Sequence, residues 1–276
     1  MFFLGSCFGS FGNVIIYRYP LGESMWGRSR CQKCKTIIPW YKNIPLLAYF
    51  FLRGKCTACS QKFSLRYPLV EFITASLFAM VYFYYGYSFL TIEYTILVFG
   101  LVVGSFIDWD HMILPDVLTL GGCVLGLLGA AINPERSFID GLLGFLFGGG
   151  ILWLVAYVYY VFTGREGLGG GDIKLLAWLG ALLGWKAIPF IILTSSILGS
   201  FVGLAMSYQK NRYENNMITS QDHIEKSESL KSKVKEKMQV MIPFGPFIAI
   251  GAVLYILGLK SVGLWYVDLF FPSLTP

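Results

Sequence analysis

The chain has 276 residues, of which 55% are hydrophobic and only 14% charged, with a net charge of +6 and a mean hydropathy of +0.61. A soluble domain carries about 25% charged residues, so this composition excludes an ordinary water-soluble enzyme. The basic residues are gathered into a few polar segments between apolar runs, which makes the positive charge a topology signal rather than a nucleic-acid footprint.

Apolar runs at about 1–17, 69–86, 89–107, 115–132, 138–162, 173–185, 187–208 and 244–270 predict eight transmembrane helices. Helices are expected because backbone groups in lipid must be satisfied within their own segment, and no ten-residue alternation points to a barrel. The opening run lacks a basic n-region, and its end at Arg18 offers no small-residue cleavage site, so it reads as a retained first span. The fold class is therefore all-α, a membrane protein of about eight spans. Its expected divisions are a first helix at 1–17, a cytoplasmic cysteine domain at 18–68 and a transmembrane core at 69–208. A charged loop at 209–242 and a last helix at 243–276 complete it.

Residues 18–68 hold ten Lys/Arg against the single acid Glu23, and residues 209–241 hold seven against five acids. The positive-inside rule puts both in the cytoplasm, and the six intervening spans agree, being an even number. The same count puts the turns near 108–114 and 163–172 on the cytoplasmic side and leaves Arg136, Lys186 and Lys260 outside. The basic side also favours anionic lipid headgroups. The 209–241 stretch reads as a solvated loop or a loosely held charged helix.

Four of the six cysteines form two knuckles, Cys31-Gln-Lys-Cys34 and Cys56-Thr-Ala-Cys59, with twenty-one residues between the pairs. That pattern suits tetrahedral thiolate binding of zinc. Two disulfides would need an oxidising compartment, and a redox CxxC comes singly beside a strand–helix unit. Four protein ligands leave no open coordination position, so the zinc would be a structural staple. Cys7 and Cys123 lie in apolar runs and read as packing residues.

Ionisable groups inside spans are costly, which makes each a functional candidate. The third span ends Ile107-Asp108-Trp109-Asp110-His111 and leads to Leu114-Pro115-Asp116. The fifth turn ends Gly169-Gly170-Gly171-Asp172-Ile173-Lys174. Asp116 is explained by capping of the fourth span, and for Asp172 capping and catalysis are comparable. Asp108 stands at the C-terminal end of its helix, where the dipole disfavours an anion, so function is the better account. Both Asp108 and Asp172 fall at the cytoplasmic boundary. Two carboxyls brought together can share a proton, one activating water and the other polarising a carbonyl. Glycines before Asp172 permit close backbone approach by an extended peptide. Asp110 belongs to another face of the helix and ranks second.

These motifs together resemble the bacterial type IV prepilin peptidases, also called leader peptidase/N-methyltransferases. The resemblance is carried by Gly9-Ser10-Phe11-Gly12-Asn13 running to Tyr17-Arg18, the paired CxxC loop, Arg66-Tyr67-Pro68-Leu69-Val70-Glu71, Ile107-Asp108-Trp109-Asp110, Gly169-Gly170-Gly171-Asp172-Ile173-Lys174 and Pro243-Phe244-Gly245-Pro246. It implies a Gly-x-Gly-Asp aspartic protease of the bacterial inner membrane, with its active site facing the cytoplasm. Asp108 and Asp172 would be catalytic, with Gly169, Gly171, Lys174, Asp110 and Glu71 in support. It implies prepilin or pseudopilin substrates, whose apolar helix would lie among the spans. It also implies N-methylation of the new N-terminal residue from S-adenosylmethionine. Glu71 could hold a substrate amine, though an ion pair with Arg66 is the plainer account. The charged 209–241 stretch departs from the family pattern. Two rivals are a phosphotransferase holding a divalent metal on Asp108, Asp110 and Asp116, and a transporter or scaffold with a zinc-stapled loop. Asp172 and its glycines are unexplained by the first. No oligomeric state follows from the sequence.

Overall fold

A computed structural model describes residues 1–164, 169–219, 243–259, 263 and 265. Among them every regular element is a helix, and the extended pairing amounts to two isolated bridges, Arg30 with Ile37 and Lys55 with Lys62. Each of the eight apolar runs forms a helix. They are α1 (Phe2–Arg18), α3 (Arg66–Tyr85), α4 (Phe89–His111), α5 (Asp116–Ile132), α6 (Phe138–Thr163), α7 (Gly170–Leu183), α8 (Ala187–Thr219) and α9 (Gly245–Leu254). A short α2 (Leu47–Phe51) lies in the cysteine segment. Of the eight, α3, α4, α6 and the Ala187–Gln209 part of α8 are long and apolar enough by themselves to cross a membrane. Among the described residues two further apolar helices, Asp116–Ile132 and Gly245–Gly258, are shorter, so the expected eight spans are represented by four helices of full spanning length.

Local chemistry sets the helix ends. Ser88 caps α4 by accepting the Thr91 amide at 3.2 Å. At the other end Met112 turns left-handed (φ 56°) and returns its amide to the Asp108 carbonyl at 2.8 Å. Pro115 then opens α5. Helix α8 runs on to Thr219, eleven residues past the predicted end of its span at 208, because no Gly or Pro interrupts Met206–Thr219. Helix α9 gives way at Tyr255–Leu259 to a wider turn that kinks at Leu257 and Gly258. The rest of the predicted 244–270 run lies largely outside the described residues, as do most of the 209–242 loop and Arg165.

Two tight seams hold the bundle. Helix α1 lies on α3 where Gly9 faces Glu71, and a Cβ on Gly9 would sit 2.6 Å from the Glu71 Cα. Helices α6 and α7 meet where Gly144 and Gly180 face each other, and a Cβ on Gly180 would fall on the Gly144 carbonyl. Small residues at such crossings are how membrane helices gain van der Waals contact. Helix α7 is the centre of the bundle: every residue from Leu175 to Leu182 is buried, and α5 and α6 pack along it. Helix α6 instead exposes Trp153, Tyr157, Tyr160 and most of its apolar side chains, as a lipid-facing helix does.

One polar contact marks the end of the bundle opposite Asp108 and Asp172. Arg136, between α5 and α6, meets Glu93 near the start of α4 at 2.9 Å and donates to the Ala181 carbonyl of α7 at 2.6 Å. Both side chains are largely buried.

Candidate active site and metal centre

Asp108 stands one turn before the end of α4 and is only 6% exposed. Its own helix end opposes a negative charge, and a second helix offsets this. Gly245, the first residue of α9, donates its amide to Asp108 Oδ2 at 3.0 Å. That amide belongs to the set a helix N-terminus leaves without an internal partner, and it carries the positive end of the α9 dipole. The fit is close, since a Cβ on Gly245 would lie 2.6 Å from the same oxygen.

Asp172 is half-buried in the first turn of α7, where the dipole favours an anion. The cap position belongs to Gly169, and no side chain makes a capping bond there, so the capping account of Asp172 fails. Its Oδ2 turns back over Gly169, 3.4 Å from where a Cβ would stand. The two carboxyl-bearing helix ends converge on Leu114, which stands against both Gly171, next to Asp172, and Gly245, the partner of Asp108. Leu114, 9% exposed, is wedged between their supports. Its side chain lies 2.9 Å from a Cβ position on Gly171, 3.3 Å from one on Gly104 and 3.5 Å from one on Gly245.

The neighbouring charges are spent elsewhere. Asp110 forms an ion pair with Arg66, whose guanidinium also donates to the Phe106 carbonyl at 3.1 Å and lies over the Phe106 ring. Asp116 is paired with Lys174 at 2.6 Å, so a salt bridge between α5 and α7 replaces the cap expected of it. The three acids of the metal-dependent rival therefore do not gather. Among the described residues the cysteines alone form a group able to hold a metal.

Glu71 also departs from expectation. Arg66 is committed to Asp110, so the expected Arg66–Glu71 pair does not form. Glu71 Oε2 instead accepts the Leu46 amide at 2.7 Å, fastening the cysteine segment to α3. Gly245 and Leu114 enter the sequence reading only as members of quoted motifs, with no part in the site assigned to either. The signal for Gly245 was its place in the Pro243-Phe244-Gly245-Pro246 motif at the start of an apolar run.

The two cysteine knuckles repeat one geometry. Cys31 accepts the Lys35 amide at 2.9 Å and donates its own to Thr36 at 3.0 Å; Cys56 does the same with Ser60 and Gln61, at 2.9 Å each. Lys35 and Ser60 are both left-handed, with φ 57° and 55°. All four Sγ atoms lie within 4.8 Å of one another, with Cys31–Cys59 at 3.8 Å and Cys34–Cys56 at 3.9 Å. Tetrahedral Zn–S bonds of about 2.3 Å require S···S spacings of about 3.8 Å. The donor set therefore fits zinc. The Thr36 hydroxyl and amide hold the Cys34 thiol down to about 6, which favours the ligating thiolate. Of the other two cysteines, Cys123 is buried with its sulfur 3.8 Å from the Lys174 carbonyl, and Cys7 is exposed on α1.

Comparison with known proteins gives a consistent result. Residues 3–85 match the family described as Bacterial Peptidase A24 N-terminal domain, and residues 95–204 match the Type IV leader peptidase family. A prepilin leader peptidase/N-methyltransferase of Aeromonas hydrophila is 34% identical over 98% of this chain and 93% of its own. One of Neisseria gonorrhoeae is 38% identical over 76% and 82%, and one of Pseudomonas putida is 34% identical over 92% and 88%. No solved structure matches the chain.

Proposed function

The chain belongs to the prepilin leader peptidase/N-methyltransferase family, and from that premise we propose that Asp108 and Asp172 are the carboxyl pair that cleaves the leader. The protein is a multi-pass membrane enzyme that removes leader peptides from prepilins and N-methylates the product. The observation that carries the dyad is the convergence, around Leu114, of a buried carboxyl on α4 and a carboxyl on the first turn of α7.

Two neighbouring carboxyls do not readily both ionise, so one holds a proton that the other lacks. The ionised member takes a proton from a water as it attacks the scissile carbonyl, while the protonated member donates to that carbonyl oxygen. The proton then passes to the leaving amine. The Gly245 amide fixes Asp108 Oδ2 and so the orientation of the carboxyl. Gly171 lets Leu114 close against the first turn of α7, and Gly169 leaves room for the Asp172 carboxyl to turn back over it. Lys174 and Asp110 act at one remove, as the ends of the salt bridges that brace α5 to α7 and α3 to α4.

The site lies at the cytoplasmic membrane face, in a bacterial inner membrane, and pseudopilins share the substrate chemistry. The basic cysteine segment sits at the same end of the bundle as Asp108, joined to it through Arg66 and Asp110. Cys31, Cys34, Cys56 and Cys59 would hold one structural zinc, and S-adenosylmethionine would supply the methyl group.

The test is cleavage of a co-expressed prepilin, read as a mobility shift. Asp108→Asn and Asp172→Asn keep size and hydrogen bonding but remove the titratable proton. Each should lower cleavage by roughly 10²–10⁴-fold at normal membrane abundance. Near-normal cleavage by either variant removes that residue from the dyad.

A further inference from the structure

The cysteine segment turns apolar side chains outward where it touches the bundle. Pro45–Leu47 form a γ-turn in which the Leu47 amide donates to the Pro45 carbonyl at 2.7 Å. Leu46 at its centre has φ 62° and ψ −54°, a strained conformation for a residue with a Cβ. Glu71 of α3 holds it there by accepting the Leu46 amide at 2.7 Å. The next five residues form α2, so this turn decides which way that helix faces. Ala48 and Tyr49, with Leu52 just past the helix, line the cleft between the segment and α1 and α3. Leu47, Phe50 and Phe51, spaced i, i+3 and i+4, share the outer face and are 52%, 73% and 81% exposed.

The same hydrogen bond sets the depth of this face. Arg66 opens α3, a helix long and apolar enough to cross a membrane, and Glu71 lies five residues inside it, about 7.5 Å along the axis. Leu46 is therefore drawn past the polar end of α3 to the level of Leu69 and Phe72, which are apolar and exposed on that helix. An interfacial helix buries its apolar face about 5–10 Å into the boundary between headgroups and acyl chains. Basic residues follow at once: Arg53, Lys55 and Lys62 are all exposed, and residues 18–68 hold ten Lys/Arg against one acid. Large apolar side chains exposed to water would be an aggregation hazard. At this depth, beside basic groups, they match acyl chains on one side and phosphates on the other.

We propose that α2 is a lipid-docking element of the cysteine segment. Leu47, Phe50 and Phe51 insert among the acyl chains, and Arg53 and Lys55 meet the phosphates of an anionic phospholipid leaflet. The occupant is the bilayer rather than a second protein. An aromatic side chain buries about 150–250 Å². Leu47, Phe50 and Phe51 together therefore fall short of the roughly 800 Å² each partner gives to a standard protein interface. The segment is then held at three places: by α1 and α3 at its ends, by Glu71 at Leu46, and by lipid at α2. Lipid charge thereby acts on the order of this segment without touching Asp108 or Asp172.

The test uses the full-length protein in nanodiscs. Illumination of the Phe51→p-benzoylphenylalanine variant should add the mass of one phospholipid to the peptide that carries it. In the wild type, amides of residues 46–55 should exchange with deuterium about fivefold more slowly in nanodiscs containing phosphatidylglycerol than in phosphatidylcholine alone. Arg53→Gln with Lys55→Gln keeps the apolar face and should remove that difference. Phe50→Ser with Phe51→Ser should speed exchange in both lipids. An adduct with a second copy of the chain, or no lipid adduct, overturns the dock. Wild-type exchange that is equal in the two lipids overturns the phosphate contact, and unchanged exchange in the double serine variant overturns the insertion.

Discussion

Asp108 shows how one residue's position can be legible while its support is not. Its place at the C-terminal end of an apolar helix is plain in the sequence and argues for function. The group that makes the position tenable, the Gly245 amide, comes from 137 residues away. A methyl at Gly245 would collide with Asp108 Oδ2 at 2.6 Å. Gly245→Ala should therefore lower prepilin cleavage about a hundredfold by displacing the carboxylate, without loss of membrane abundance. Gly171→Ala drives its methyl to 2.9 Å from the Leu114 Cβ and should act through the same wedge; Leu114→Gly combined with it removes that atom and should restore part of the rate. Cleavage by Gly245→Ala at wild-type rate would show that the contact is incidental.

At the scale of elements, the bundle is secured by a few crossings and by ion pairs that tie helix ends together. The Glu93–Arg136 pair joins the start of α4 to the α5–α6 turn, and its third contact, to the Ala181 carbonyl, holds α7. Removing one partner leaves the other charge buried and alone. Arg136→Met should therefore destabilise the detergent-solubilised protein by about 3–5 kcal/mol, read by thermal unfolding. Glu93→Gln with Arg136→Met should recover a substantial part of that loss, because no uncompensated charge remains. The α6–α7 seam works through shape instead. Gly180→Leu has no room beside the Gly144 backbone and should cost about 1–3 kcal/mol or more.

Over the whole molecule, the chemistry is concentrated at one end. Asp108, Asp172, the Arg66–Asp110 pair and the cysteine segment share it, while Arg136 and Lys186 mark the other. A cysteine placed at Ser137 should accordingly be labelled by a membrane-impermeant maleimide from outside the inner membrane. One placed at Ser24 should be labelled only after permeabilisation. The zinc reading is tested at the same scale. The purified protein should carry one zinc per chain, and Cys31→Ser or Cys56→Ser should lose it. Without zinc, proteolysis should begin in residues 19–65 before it reaches α3–α7, because the metal would close a segment whose regular structure is otherwise one short α-helix, two 3₁₀ turns and isolated bridges.

Hydropathy alone determined the all-helical membrane class and the locations of the helices, because the cost of placing backbone and charge in lipid is written residue by residue. The cysteine quartet was legible for a similar reason. A knuckle is a local turn, and two of them carry the geometry of the site within themselves. What charged groups choose as partners was not legible. Arg66 pairs with Asp110 rather than Glu71, Asp116 with Lys174 rather than its own helix end, and Asp108 takes an amide from the far end of the chain. These choices depend on which helix ends packing brings within about 3 Å, and sequence separation carries no information about that distance.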